Sequence, residues 1–158
     1  MKFSAKLMIF FFVALMAFCS CNSGPKFSSV TGKEWQLVEV QSKSGDFAFD
    51  RQKLNSQGFG NIFTLNFDAE SLSGVGAPNR YTAPYKLEKN QVINVQLVAG
   101  TLMAPIREPE KLKEQEYFTY IQNAYKWNFT KEGLFELYSK NAEGMEAVLV
   151  YKLGTAGK

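Results

Sequence analysis

Between two strand-like segments the chain carries Gly74–Val75–Gly76–Ala77–Pro78–Asn79–Arg80–Tyr81–Thr82–Ala83–Pro84–Tyr85. Gly and Asn accept positive φ, and Pro fixes φ at about −65°, so such a run codes one backbone path and not a loose link. On its N-terminal side, 62–67 places Phe63, Leu65 and Phe67 on one face, and 71–75 follows after a turn at 68–70. A hairpin therefore feeds directly into the run. On its far side, 81–89 reads as a strand with Tyr85 and Leu87 on one face. The next, 92–98, has Ile93, Val95 and Leu97 inward and Asn94 and Gln96 outward.

The rest of the chain extends this frame. Residues 35–40, beginning at Trp35, alternate as a first strand. Residues 41–61 shift to Ser, Gly, Gln and Asn, with Phe47, Phe49, Leu54 and Phe59 as apolar holds. This length exceeds the usual connection of about 4–6 residues, and predicts an ordered surface excursion with one helical turn near 50–54. A single helix is expected from near Glu108, with Pro109 at its first position and Glu108 and Glu110 at the positive dipole end. Tyr117, Phe118, Ile121, Ala124 and Tyr125 would form its apolar face, with Leu112 packing from the first turn. Three more strands are expected at 126–130, 134–138 and 146–153. Many strands, one helix and more strands, without βαβ alternation, give a mainly β chain with one helix (α+β). Its sheet is antiparallel and curls around or against that helix.

Lys2 and Lys6 precede an unbroken apolar run at 7–18, followed by Cys19–Ser20–Cys21. Twelve residues rise about 18 Å as a helix, short of the roughly 30 Å hydrocarbon core. The run fits the apolar region of a signal peptide. Ser20–Cys21 resembles a bacterial lipobox, in which the Cys receives the lipid and becomes the first mature residue. The expected organisation is a leader at 1–20, a lipidated flexible tether at 21–31, a folded domain at 32–153 and a tail at 154–158. Lys2 and Lys6 fall in the leader, which leaves 16 basic against 15 acidic residues and no bulk basicity for nucleic acid.

The Gly74–Tyr85 run resembles the glycine-cysteine-asparagine signature of the META-domain family, which includes HslJ-type bacterial envelope lipoproteins. Thr101–Leu102–Met103–Ala104–Pro105 resembles the family's second signature, Thr-x-Met-Ala-Cys. Pro78 and Pro105 stand where the family carries cysteines, and Ala77 replaces a Gly. The resemblance spans Gly32 to Leu153. It implies a small, partly open antiparallel β-barrel packed with one α-helix, a location in the cell envelope facing the periplasm, more often at the outer membrane, and a link to stress.

Chemistry is sparse. The chain has no His, which removes the commonest general base and metal ligand. Cys19 and Cys21 fall in the leader or at the anchor, so the mature domain has no thiol for catalysis, metal or disulfide. No phosphate loop or nucleophile elbow occurs. Glu108, Glu110, Glu114 and Glu116 read as a solvated helix face. The candidate binding or family-motif residues are Asn79, Arg80, Tyr81, Thr101 and Met103. Read structurally, Asn79 takes a left-handed turn, Arg80 pairs with a helix acid, Tyr81 caps the barrel and Met103 plugs its mouth. No catalytic residue, cofactor or metal is expected.

Three functions remain in view. The first is a non-enzymatic lipid-anchored envelope protein, expected as a monomer, working through contacts with an envelope protein partner in envelope maintenance or stress tolerance. The second is a carrier of a small hydrophobic ligand at the barrel mouth. The third, an enzyme, has the least support.

Overall fold

The computed structural model describes residues 25–42 and 49–154. The leader, Cys21, Phe47 and residues 155–158 lie outside the described residues. Nine strands and two helices follow in order: β1 (Glu34–Ser42), α1 (Arg51–Ser56), β2 (Thr64–Phe67), β3 (Ser71–Val75), β4 (Arg80–Leu87), β5 (Ile93–Val95), β6 (Ala99–Gly100), α2 (Glu114–Gln122), β7 (Lys126–Phe129), β8 (Phe135–Lys140) and β9 (Glu146–Leu153).

Every pairing is antiparallel. The strands run β5-β4-β3-β2-β1-β9-β8-β7, with β6 added beside β4. The outer strands approach each other where Val92 bridges Lys126. There Ile93 N–H donates to Tyr125 O at 3.2 Å and Trp127 N–H to Gln91 O at 2.9 Å. The result is a nearly closed eight-strand barrel with one unsealed seam, the mainly β fold with one principal helix that the sequence implies.

A barrel of this size is just wide enough for side chains to fill, and rings fill it. Phe67 lies 5.4 Å from both Phe135 and Tyr85. Tyr151 lies 6.0 Å from Phe135. Trp35, Phe63, Leu65, Phe67, Leu72, Phe135, Leu137 and Tyr151 are buried. At one end the ring of Phe27, in a 3-10 turn at Phe27–Ser29, packs 4.9 Å from Trp127 and 5.0 Å from Phe67. At the other, Tyr117 of α2 sits 4.9 Å from Phe63. Its hydroxyl joins those of Tyr81 and Tyr151, and Tyr81 and Tyr117 both donate to the Thr64 carbonyl.

The excursion after β1 does carry a helical turn. Asp50 caps α1, its Oδ1 accepting from Lys53 N–H at 3.0 Å. Arg51 then reaches inward where β1 bulges between Leu37 and Glu39. It donates to the carbonyls of Leu37 at 2.7 Å and Ile62 at 3.2 Å.

Several expectations change. The helix begins at Glu114, not near Glu108, and its first-turn acids are Glu114 and Glu116. A proline pre-set for a helix start does not make one when the preceding backbone is held elsewhere, as Met103 is by Asn79. Tyr120 belongs to the buried face, while Tyr125 is exposed. Leu97 is exposed because one extra residue intervenes between the pairs Tyr85↔Val95 and Thr82↔Ala99. Such a bulge flips the alternation beyond it. Leu87, at the end of β4, also stands in solvent. Residues 27–29, expected within a tether, form a 3-10 turn whose half-buried Phe27 ring packs against the aromatic core.

Candidate functional site

Gly76–Asn79 joins β3 to β4 beneath the start of α2, with Ala77–Pro78 in the cis form. Two glycines permit the approach. A Cβ on Gly74 would run into the Thr64 carbonyl of the neighbouring strand. One on Gly76 would lie 2.7 Å from Glu114 Oε1 and 2.8 Å from the Phe118 ring. Gly76 is therefore what lets α2 settle on the turn.

Glu114 is the residue that sequence reasoning missed. Its Oε1 accepts from the backbone N–H groups of Ala77 and Asn79, both at 2.6 Å. Its Oε2 accepts from Asn79 Nδ2 at 2.7 Å. Grouped with Glu108, Glu110 and Glu116 it looks like one more solvated acid. Glu108 and Glu110 do fit that description, making exposed ion pairs with Lys113 and Lys53. The available signal was its place four residues before Phe118, on the side of α2 that faces the glycine turn.

Asn79 is the hub. Its Nδ2 also donates to Met103 O at 3.0 Å, while its Oδ1 accepts from Met103 N–H and Thr101 Oγ1, both at 2.7 Å. All four hydrogen-bonding sites of the carboxamide are thus used, and Asn79 is buried. It shows no left-handed φ; its role lies in its side chain. The structure therefore brings Asn79, Thr101 and Met103 together and ties the segments bearing Pro78 and Pro105. Arg80 and Tyr81 point elsewhere.

Arg80 is exposed and meets no acid of α2 among the described residues. Tyr81 is a core residue 2.8 Å from the Thr64 carbonyl, and burial pushes its phenol well above the ordinary value. Met103 is half exposed, with its backbone and not its side chain engaged. It does not plug the mouth, which α2 already covers.

Chemically this cluster is a hydrogen-bonded joint between the glycine turn, the Thr101–Met103 segment and α2. The Glu114 carboxylate is occupied by three N–H donors, and no group of three metal-ligating side chains exists among the described residues. Depressions lie outside the barrel. One of about 220 Å³ sits between α1 and Pro109–Leu112, lined by Phe49, Leu54 and Leu112 with Lys53 and Glu110 at its rim. A trough of about 620 Å³ runs over Ala69, Pro84, Leu87 and Gln96.

A family model described as the META domain matches residues 28–150. Among solved structures, the NMR structure of a protein from Burkholderia xenovorans is similar, with a TM-score of 0.56 and 20% identity over 81% of this chain and 86% of that one. Comparison with curated proteins gives no significant match.

Proposed function

Because the chain belongs to the META domain family, we propose that it is a non-enzymatic, lipid-anchored protein of the bacterial envelope that acts through contacts with another envelope protein. The observation that carries this reading is a filled barrel beside an exposed apolar segment. Leu102, Met103 and Ile106 are 99%, 53% and 106% exposed. A backbone pinned by Asn79 holds the first two, and a surface of this kind needs a partner more than a ligand. A carrier using the barrel mouth would call for an enclosed apolar cavity of at least about 300 Å³ there. Among the described residues, aromatic rings fill the barrel interior, leaving only open depressions outside it.

The anchor is Cys21, with Lys2, Lys6 and the apolar run at 7–18 as its export signal. Envelope maintenance and stress tolerance come from the family resemblance. The intact mass of the protein in the membrane fraction tests the anchor. The expected mass is that of a chain beginning at a diacylglyceryl-modified Cys21. An unmodified amino terminus, or release by salt alone, would overturn it.

A further inference from the structure

The exposed segment continues an edge of the barrel. Gly100 of β6 pairs with Tyr81, and Thr101 N–H donates to Arg80 O at 3.0 Å. Two residues further, the same register sets Met103 opposite Pro78, which has no N–H to give. The Asn79 carboxamide takes over there, acting as a peptide group toward both the N–H and the C=O of Met103. The Thr101 N–H and both main-chain groups of Met103 are therefore satisfied from the sheet side. In an extended run successive backbone groups point to opposite sides, so those of Leu102 and Ala104 face outward. Among the described residues neither makes a hydrogen bond.

Sheet edges are usually blunted by charges, bulges or cover. Residues 97–106 contain no charged side chain. Pro105 ends the edge after two residues with free groups. Leu102 and Ile106 beside it are fully exposed.

We propose that Leu102–Ala104 is an unfinished edge strand, completed by an extended apolar segment of another protein that carries an acidic flank. This rests on the protein-contact reading above and specifies how the contact is made. Main-chain pairing to Leu102 and Ala104 supplies the hydrogen bonds, and Leu102, Met103 and Ile106 supply the apolar side. The acidic flank follows from Arg80, which stands exposed opposite Thr101 with no carboxylate partner among the described residues. A second copy of this chain is a poor occupant. Its own residues 97–106 carry no carboxylate to meet Arg80.

Two measurements test this. In the isolated chain, the amides of Leu102 and Ala104 should exchange with solvent at least about ten-fold faster than those of Thr101 and Met103; equal protection would show the edge is not open. In the native envelope, the full chain with a photo-cross-linking residue replacing Ile106 should couple to one protein. Ala104→Pro, which removes one outward N–H and keeps the apolar surface, should abolish the cross-link, while Ala104→Val should retain it. Arg80→Glu should weaken it; an unchanged yield would overturn the acidic flank. A cross-link that survives Ala104→Pro but is lost in Leu102→Ser would overturn strand addition and leave the protein-contact reading standing. Absence of any cross-link in the chain carrying the photo-cross-linking residue alone would overturn both.

Discussion

At the residue scale, Asn79 carries more of the architecture than any other polar side chain of the turn. Its removal strands Met103 N–H and C=O, Thr101 Oγ1 and Glu114 Oε2 together. Each unsatisfied buried group costs about 1–3 kcal/mol, and the exposed ones less because water replaces the partner. Asn79→Ala should therefore lower stability by about 2–4 kcal/mol in denaturant unfolding. Asn79→Asp should be worse at neutral pH, since a carboxylate would face Glu114 Oε2 at the present 2.7 Å contact. Adding Glu114→Gln removes the opposing charge, so the gap between the Asp and Ala variants should narrow in that background. A gap that widened would show that Glu114 is not the neighbour that matters.

At the element scale, α2 stays on the barrel because the β3–β4 turn leaves room for it. Gly76→Ala meets a carboxylate and a ring edge at 2.7–2.9 Å, which Glu114 and Phe118 can relieve by swinging off the turn at the expense of their contacts with it. Gly74→Ala meets the main chain of β2 instead, and main chain cannot move without breaking the β2–β3 pairing. Gly76→Ala should fold with a lowered melting temperature and faster exchange of α2 amides, while Gly74→Ala should fail to fold. Equal behaviour of the two variants in circular dichroism would contradict this division. The turn, both glycines and the strands around it were legible in the sequence because proline, glycine and alternation are local signals. The start of α2 was not. Pro109 and Glu108 announce a helix locally, but the long-range bonds from Asn79 to Met103 fix the backbone leading into that stretch, and Leu112 is buried in the core from outside the helix.

At the scale of the whole molecule, stability rests on rings. Trp35, Phe63 and Phe67 are at most 1% exposed, and truncating any one to Ala should cost about 3–5 kcal/mol. Thermal or denaturant melts that barely move would refute a ring-built core. Alkali should act on the same core. Burial pushes Tyr117 up to about 12, and Tyr81 and Tyr151 well above the ordinary phenol value. A group whose folded-state pKa is raised contributes stability that is full below its unfolded value and is lost as pH rises through the folded one. Burial also drives Arg51 down to about 10, with Tyr117 and Tyr151 opposing that shift. Arg51 works in the opposite direction over that window, one group against three. Stability should hold to about pH 10 and decline above it. The tyrosinate absorbance of Tyr81, Tyr117 and Tyr151 should appear only as the folded circular dichroism disappears. Ionisation of these three with the fold intact would contradict the buried hydroxyl cluster.

The sequence by itself determined the family, the mainly β frame, the hairpin into the glycine turn and most of the inward face, because each is written in alternation or turn chemistry over a few residues. It also named Asn79, Thr101 and Met103, through the family signatures. Tertiary structure alone decided what those residues do. Glu114 looks like a surface acid until α2 lands on Gly76; Phe27 looks like part of a tether until the barrel closes around its ring; Leu97 looks inward until one extra residue shifts the register against β4. In each case the deciding contact lies many residues away, and the energy of burying a ring or satisfying a carboxylate outweighs the local preference that the sequence displays.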